Sequence, residues 1–309
     1  MKNSYQLNEC PTCKCQKLDF IGPLKSKHII YSNLNLNRCN SCKLVFANPM
    51  PSEEKLLEYN SSYFNTAHGD SKINQIDTSF FRGLSKIRLY YLTKFLNKKK
   101  IKCSNVLEIG PGPGYFAESW LELYPKTKYF AIETDTSCHD SLTKIGVKLT
   151  NLGENLKVDL IVISHVLEHV SDPIEFLNKV TKNLKKGGVL FIEVPCSDYL
   201  HKEIHEPHLL FFDKPSMRAL LENMFFGNLE LSYHGEKISS LIKKSKVKLY
   251  LNMVKYKLLC LGIVYPFSFK FKGMQLINDS RERASVSSSK AHKENIDPSW
   301  WLRAVAIKK

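Results

Sequence analysis

The sequence predicts an α/β fold built on a Rossmann-like sheet, and two observations predict it. Apolar, strand-like runs alternate with helix-like segments between residues 104 and 194, and this alternation is typical of parallel β-α-β units. Glycines at positions 110, 112 and 114 directly follow the apolar run at 106–109. A glycine-rich turn after the first parallel strand lies at the edge where doubly wound sheets bind ligands. We therefore expect a ligand site at this edge.

Ahead of the sheet, the chain carries two C-x-x-C pairs, which are Cys10 with Cys13 and Cys39 with Cys42. Four thiolates at this spacing predict a tetrahedral zinc site of the zinc-ribbon type. A unit of about 45 residues has too little core to fold without such a staple. Because four thiolates leave no open coordination position, the zinc is expected to be structural. Cys15 is a competing ligand, and free cytosolic thiols or a redox pair are the alternatives.

A helix is predicted over residues 80–98, where Leu84, Ile87, Tyr91 and Phe95 recur at near-helical spacing. This apolar face is expected to pack on the sheet ahead of its first strand.

The glycine spacing then distinguishes between ligands. A dinucleotide fingerprint, G-x-G-x-x-G, has its last glycine where this chain has Tyr115. Glu108 precedes the loop, and a carboxylate repels phosphate but favours a cation. The segment resembles motif I (E-x-G-x-G-x-G) of class I S-adenosylmethionine-dependent methyltransferases, whose cofactor carries an amino group and a sulfonium. A plain glycine turn between strand and helix is the alternative.

The following strands extend this resemblance. The second strand ends at Glu133, where an acid accepts hydrogen bonds from ribose hydroxyls in adenosine-binding folds. In the family, the loop at 151–154 borders the adenine, and the phrase D-L-I-x-x-x-x-V-L-E-H at 159–169 places its strand end between cofactor and substrate. His169 is expected to pack locally. The predicted cofactor-binding residues are Glu108, Gly110, Gly112, Gly114, Tyr115, Glu133, Leu152, Gly153, Ser164 and His165.

Three histidines, His201, His205 and His208, follow the fifth predicted strand, which covers residues 189–194. Pro207 disrupts the helical face that would align them on a metal. The family carries an H-x-x-F-F phrase here with its histidine on the substrate side, which implies that His208 is the general base. Relatives often have an acid directly before that histidine, whereas this chain has Pro207 there and Glu206 one residue earlier. The predicted catalytic residues are His208, His165 and Glu206.

Two further strands are expected at 227–234 and 300–307, separated by a basic insertion. Residues 241–309 hold 15 Lys or Arg and 4 Asp or Glu, which gives +11 of the chain's net +15. For the Lys- and aromatic-rich part at 241–272, three interpretations stay open. They are a helical insertion with solvated lysines, a surface for anionic lipid or a lipid-linked glycan, and a contact with RNA phosphates. Residues 279–295 are predicted to form a mobile loop.

The N-terminal 64 residues strengthen the resemblance. The phrases C-P-x-C, R-C-x-x-C-x-L-V-F-x-N-P-x-P-S and Y-x-x-x-Y-F resemble the start of a bacterial methyltransferase group associated with sugar or cell-surface glycan biosynthesis and related to sugar C-methyltransferases. Lys43 stands where that group usually has glycine. By this resemblance Tyr59, Tyr63 and Phe64 face the active-site mouth, and packing between domains is the alternative.

The sequence therefore predicts four parts. Residues 1–50 form a zinc-ribbon-like domain, 51–100 a helical connector, 101–235 with 298–309 a seven-stranded methyltransferase domain, and 236–297 a basic insertion before the last strand. The cofactors implied are S-adenosylmethionine and structural Zn²⁺. The reaction implied is O- or C-methylation of a sugar, nucleotide-sugar or lipid-linked glycan. An RNA methyltransferase and a non-catalytic binding module are the alternatives, and nucleic acid is not the expected partner.

The start of the chain shows no apolar leader, and no apolar run approaches the roughly 20 residues of a spanning helix. With nine cysteines and no visible export signal, the expected location is the cytoplasm, with peripheral contact at the inner membrane face through 241–272.

Overall fold

The computed structural model describes residues 4–60, 75–243, 246–264 and 270–309. Tyr63 and Phe64, predicted at the active-site mouth, lie outside these ranges. Within the described ranges, every helix is too short or too polar to cross a lipid bilayer.

The described residues form fourteen strands and nine α-helices. The strands are β1 (Ser4–Tyr5), β2 (Leu18–Pro23), β3 (Asn35–Cys39), β4 (Val45–Asn48), β5 (Met50–Pro51), β6 (Asn105–Ile109), β7 (Lys128–Ile132), β8 (Lys148–Leu149), β9 (Val158–Ser164), β10 (Leu184–Pro195), β11 (Leu210–Phe211), β12 (Phe226–Lys237), β13 (Glu294–Asn295) and β14 (Ser299–Lys308). The helices are α1 (Glu53–Asn60), α2 (Gln75–Lys99), α3 (Tyr115–Leu123), α4 (His139–Lys144), α5 (Pro173–Thr181), α6 (Lys214–Asn223), α7 (Ile238–Ile242), α8 (Lys246–Cys260) and α9 (Ser280–Ser289).

The main sheet has the strand order β13-β12-β14-β10-β9-β6-β7-β8. Strands β8, β7, β6, β9 and β10 run parallel, whereas β14 is antiparallel to both β10 and β12. The predicted Rossmann-like sheet of seven strands is confirmed, and β13 adds a short edge strand. The strands predicted at 227–234 and 300–307 correspond to β12 and β14. They pair as expected, although the insertion separates them in sequence.

A second sheet joins the N-terminal part of the chain to the segment that follows β10. Its order is β11-β4-β3-β2, and Leu210 pairs with Phe46 while Phe211 pairs with Val45. Strand β11 belongs to the H-x-x-F-F phrase. The N-terminal sheet is therefore completed by the same segment that carries His208.

Helix α2 is longer than predicted, but its expected apolar face is buried. Leu84, Ile87 and Phe95 are at most 3% exposed, while Tyr91 is half-buried. The helix also carries Arg88, a buried cation that donates a hydrogen bond to Glu193 on β10.

The prediction of a mobile loop at 279–295 is wrong, because the segment contains helix α9. Asp279 caps the helix by accepting hydrogen bonds from the N–H groups of Arg281 (2.8 Å) and Glu282 (2.9 Å). The helix packs against α2 at Gly83, where a Cβ would lie 2.7 Å from Val286 Cγ2. Small side chains and this glycine let the two helices approach closely, so serine-rich composition here indicates tight packing and not mobility.

Helix α8 exposes apolar side chains to solvent. Val247, Tyr250 and Leu251 are each about 60% exposed or more, and Met253 and Tyr256 exceed 40%. Lys243 and Lys257 are exposed nearby. We call Val247, Tyr250, Leu251, Met253 and Tyr256 the α8 face.

Candidate active site

The glycine loop between β6 and α3 adopts backbone conformations that require glycine. Gly110, Gly112 and Gly114 have φ of +63°, +57° and +89°, a region that other residues rarely occupy. A Cβ at Gly110 would meet Val166 Cγ2 at 2.6 Å, and one at Gly114 would meet Leu142 Cδ2 at 2.8 Å. A Cβ at Gly112 would meet no described atom within 4 Å. Two glycines therefore serve packing, while a side chain on the middle one would be clear of all described residues.

Glu133 lies directly after β7 and faces this loop. Its Oε2 accepts a hydrogen bond from the N–H of Gly112 (2.8 Å), and its Oε1 accepts one from the N–H of Asp135 (2.9 Å). Each carboxylate oxygen can accept a further hydrogen bond. The side chain is thus oriented toward the loop, and it is partly accessible. Its role as a ribose-binding acid stays a prediction.

Glu108 precedes the loop on β6 and is 3% exposed. The Tyr129 hydroxyl donates a hydrogen bond to its Oε2 at 2.7 Å. Burial raises the pKa of Glu108 to about 7, although the Tyr129 hydrogen bond and Arg88 act in the opposite direction. A cation that binds beside Glu108 would favour its ionised form.

This raised pKa predicts a pH-dependent stability difference between the wild type and Glu108→Gln. The folded pKa of about 7 exceeds the usual value of 4.5, so the folded state binds more protons between these values. The stability of the wild type should therefore fall relative to the variant as pH rises from 4.5 to 7, by roughly 3 kcal/mol at most. Urea denaturation across this pH range without cofactor measures it, and parallel curves for the two proteins would contradict the prediction.

The remaining predicted cofactor residues lie at the same edge of the sheet. Tyr115 is the first residue of α3 and stacks on Phe81 with a ring-centroid distance of 6.2 Å. Leu152 and Gly153 are exposed in the loop after β8, and Ser164 ends β9. These positions lie beyond the carboxyl ends of parallel strands, the edge at which doubly wound sheets bind ligands.

His165 directly follows β9 in a left-handed conformation, with φ of +57°. Its Nδ1 lies 3.3 Å from Glu168 Oε1, and its Nε2 lies 3.2 Å from Glu193 Oε1. Burial alone would lower the pKa of His165, but the two carboxylates outweigh it and raise that pKa. The side chain is 34% exposed. His165 is therefore better suited to carry positive charge beside the crevice than to accept a proton.

The sequence did not reveal the charged network behind His165. Glu193, on β10, is fully buried. Its Oε1 accepts a hydrogen bond from Arg88 Nε (2.6 Å) and its Oε2 accepts one from Arg303 Nε (2.5 Å). Burial would raise the pKa of Glu193, but the two guanidinium groups hold it well below its usual range. The available signals were an acid inside an apolar strand and an arginine inside another.

His208 is buried, and its Nδ1 lies 2.8 Å from Asp198 Oδ2. His208 and Lys202 hold the pKa of Asp198 well below its usual range, against the opposing effect of burial. Asp198, which sequence reasoning missed, therefore orients the ring of His208. The rings of His169 and His208 are edge to face, with centroids 5.1 Å apart.

Glu206 contacts the N-terminal part of the chain. Its Oε2 accepts hydrogen bonds from the N–H groups of Lys27 and His28, each at 2.8 Å. His205 accepts a further bond from Lys25 N–H through Nδ1 (3.1 Å). Both side chains thus anchor the segment after β10 to the small sheet, and a catalytic role for Glu206 stays a prediction. Tyr59 packs edge to face on His28 and Tyr31, which both belong to the N-terminal part, so a place at the active-site mouth and packing between domains both stay predictions.

The four predicted cysteines form one cluster, with their sulfurs within 4.8 Å of one another. Cys10 Sγ lies 3.6 Å from Cys42 Sγ, and Cys13 Sγ lies 3.4 Å from Cys39 Sγ. A tetrahedral zinc with Zn–S bonds of about 2.3 Å places its sulfurs roughly 3.8 Å apart. The donor set and spacing fit zinc. Cys15 lies outside this cluster.

Residues 80–230 match a family model described as a methyltransferase domain. The chain is 28% identical over 187 residues to a tRNA U34 carboxymethyltransferase of Campylobacter fetus, covering 53% of this chain and 62% of that protein. It is 31% identical over 121 residues to the protein of the same name from Campylobacter jejuni, covering 35% of this chain and 40% of that protein. The alignments thus span less than two thirds of these relatives.

Among solved structures, a SAM-dependent methyltransferase of Thermotoga maritima, described as a "possible histamine N-methyltransferase", has a TM-score of 0.50 at 15% identity. It covers 82% of this chain and 100% of that chain. This likeness shows a shared fold.

Proposed function

We propose that this chain, a class I S-adenosylmethionine-dependent methyltransferase by its fold and matched domain, methylates an oxygen or carbon atom of a sugar, a nucleotide-sugar or a lipid-linked glycan. The observation that supports the transfer reaction is that, among the described residues, no atom lies within 4 Å of a Cβ at Gly112, whose N–H the Glu133 carboxylate engages. When bound, the cofactor supplies an electrophilic methyl group on a sulfonium.

The residues of the chain would hold and orient the reactants. Glu133 has lone pairs left for ribose hydroxyls, and Glu108 supplies a carboxylate on the side of the cofactor's amino group. Alignment of acceptor and methyl group is the main requirement, since the leaving group is already activated. A charged His165 would lie between the Glu168 and Glu193 carboxylates and would therefore add no unpaired cation beside the reactants.

A base is needed only if the acceptor is a hydroxyl or a carbon acid. His208 remains the predicted base, since Asp198 engages its Nδ1 and leaves Nε2 for a proton. The N-terminal motif resemblance favours a sugar as the acceptor. The test is transfer of labelled methyl groups from the cofactor to a panel of nucleotide-sugars, lipid-linked sugars and unmodified tRNA. Labelling of a sugar supports the proposal, and labelling of tRNA alone overturns its acceptor.

RNA is the second candidate acceptor, supported by the names of the Campylobacter relatives and by the +11 charge of residues 241–309. Phosphate contacts make affinity strongly salt-dependent. Under this alternative, tRNA affinity should fall by more than about tenfold between 50 and 200 mM salt, and methyl transfer to tRNA should follow it.

A lipid-linked acceptor is supported by the α8 face, where apolar side chains are exposed beside lysines, a combination that favours anionic membrane surfaces. We expect the protein to co-sediment with phosphatidylglycerol vesicles but not with phosphatidylcholine vesicles. Val247→Ser combined with Leu251→Ser should weaken this binding by about tenfold or more. Leu123→Ser combined with Phe225→Ser, which removes exposed apolar groups elsewhere, serves as the control. Equal loss in both double variants would contradict a contact through α8.

Structural zinc at Cys10, Cys13, Cys39 and Cys42 completes the proposal. The core that contains these cysteines is continuous with that of the main sheet, so removal of zinc should weaken the N-terminal part without unfolding the whole chain. We expect elemental analysis of the protein to find one equivalent of zinc bound at this cluster. After chelation, the melting temperature of the protein should fall by about 5–10 °C. Cys15→Ser is the control and should retain the zinc. An unchanged melting temperature after complete zinc removal would contradict the structural role.

A further inference from the structure

A second group of metal-binding side chains lies outside the cysteine cluster. Glu168, His169 and His208 offer a carboxylate oxygen and two ring nitrogens, all within 4.8 Å of one another. Glu168 and His169 follow β9, whereas His208 precedes β11, so two separate loops bring the three together. Their side chains are 1%, 11% and 7% exposed. Among the described residues, this group and the four cysteines are the two sets with such spacing.

Glu168 is the first sign that the group is built for a ligand. Neither of its buried oxygens has a well-aligned hydrogen-bond donor within the described part of the chain. A charged His165 would pair with Oε1 through Nδ1 at 3.3 Å, and His169 Nε2 lies 3.8 Å from the same oxygen. Oε2 is therefore the oxygen left without a donor among the described residues. A buried carboxylate is costly unless it is hydrogen-bonded, paired or bound to a metal. A cation within the group would use the lone pairs that protein donors leave incompletely occupied.

The contact between Asp198 and His208 is the second sign. Asp198 Oδ2 lies 2.8 Å from Nδ1 of His208, so Nε2 is the nitrogen left for the group. A carboxylate that engages the outer nitrogen of a histidine is the usual support of a metal-binding imidazole. It fixes the tautomer and the ring orientation before the metal arrives.

We propose that Glu168, His169 and His208 bind a divalent transition metal ion, with at least one coordination position open to another ligand. Two histidines and one carboxylate are the ligand set of catalytic zinc and non-haem iron sites. Ligands of a tetrahedral ion are roughly 3.4 Å apart. The 3.8 Å between His169 Nε2 and Glu168 Oε1 is close to this value, and the ligand atom of His208 lies within 4.8 Å of both residues' ligand atoms.

This site would change how the acceptor is activated, a consequence that rests on the proposed function. A metal with an open position could bind an acceptor hydroxyl and lower its pKa, so that the proton of the hydroxyl passes to solvent water. His208 would then donate its Nε2 lone pair to the metal and could not also accept the proton there. Metal binding at this site can be measured whether or not the protein transfers methyl groups.

Cobalt titration of protein that holds one equivalent of zinc, in the cysteine cluster, tests the site. Co²⁺ replaces zinc in nitrogen and oxygen sites and gives visible d–d absorption, and the absence of sulfur-to-cobalt charge transfer separates this site from the cysteine cluster. We expect one equivalent of Co²⁺ to bind with bands free of thiolate character. Failure of folded, zinc-loaded wild-type protein to take up Co²⁺ in this way overturns the proposal, whatever the outcome of the methyl-transfer assay.

Three variants locate the ion. His208→Asn retains a side-chain donor for Asp198 but removes Nε2, and Glu168→Gln removes the charge at constant size. Each should weaken Co²⁺ binding by more than about 100-fold, while Asp198→Asn should weaken it by about 10- to 100-fold. His205→Asn is the matched control, because its amide oxygen can still accept from Lys25 N–H, and it should bind Co²⁺ like the wild type. Wild-type affinity in both His208→Asn and Glu168→Gln, with zinc content confirming folded protein, overturns the assignment.

Discussion

Gly112→Arg is expected to abolish binding of S-adenosylhomocysteine, with affinity falling by more than about 100-fold (over 2.7 kcal/mol) in calorimetry. Gly112 is the loop glycine whose missing side chain leaves open space, and its N–H engages Glu133 Oε2. An arginine would place its side chain in the space proposed for the cofactor and would draw the Glu133 carboxylate toward its guanidinium. Both effects should lower the affinity for the ligand without disturbing the packing of the core.

Gly187→Arg is the matched control for this prediction. Gly187 has φ of +77° and open space around its Cβ position, as Gly112 does, so both variants place arginine in left-handed backbone at a cost of about 1–2 kcal/mol. Gly187 lies near the start of β10, at the opposite edge of the sheet from the site. The control should bind the cofactor product normally. Normal binding by Gly112→Arg would place the cofactor elsewhere.

Glu193→Gln is expected to destabilise the protein by about 3–5 kcal/mol at neutral pH, or to prevent folding. The substitution leaves Arg88 and Arg303, at 8% and 1% exposed, without the carboxylate that both contact. Because the folded pKa of Glu193 is depressed, its ionic contribution is present above the unfolded value and is lost as pH falls. The difference from the wild type should therefore shrink below about pH 4.5.

Denaturant unfolding of Glu230→Gln provides the comparison. Glu230 contacts Lys98 at 2.9 Å, but both side chains are about half-exposed, so the loss should stay below about 1 kcal/mol. Equal losses for Glu193→Gln and Glu230→Gln would contradict a stabilising role for the buried network. Arg303→Met combined with Glu193→Leu and Arg88→Leu should recover part of the stability, because no buried charge is then left unpaired.

The main sheet could be predicted from sequence because its signals are local. Each signal is carried by a few neighbouring residues. In the structure the apolar runs form the parallel strands, and the glycines and Glu133 lie at the edge where these strands end. The cysteine cluster was predictable for the same reason, since two short motifs carry it.

The charged network and the second sheet depend on contacts between distant parts of the chain. Glu193 contacts Arg88 and Arg303, which lie 105 and 110 residues away in sequence. An acid in an apolar strand signals a buried partner, but it does not identify that partner. Helix α9 was missed because low hydropathy suggests solvent exposure, whereas its small residues, Gly83 opposite and the Asp279 cap favour close helix packing.

Strand β11 has a consequence for how the N-terminal module can be treated. The predicted boundary at residue 50 suggests that the N-terminal part is a detachable unit. The sheet of this part, however, includes Leu210 and Phe211, which lie far downstream in sequence and pair with β4. A truncated protein that begins after residue 51 would leave these two hydrophobic residues without a neighbouring strand and would release the stretch that includes His208. The module can therefore be exchanged between homologous enzymes only together with the loop it holds, and the two should be inherited as one unit.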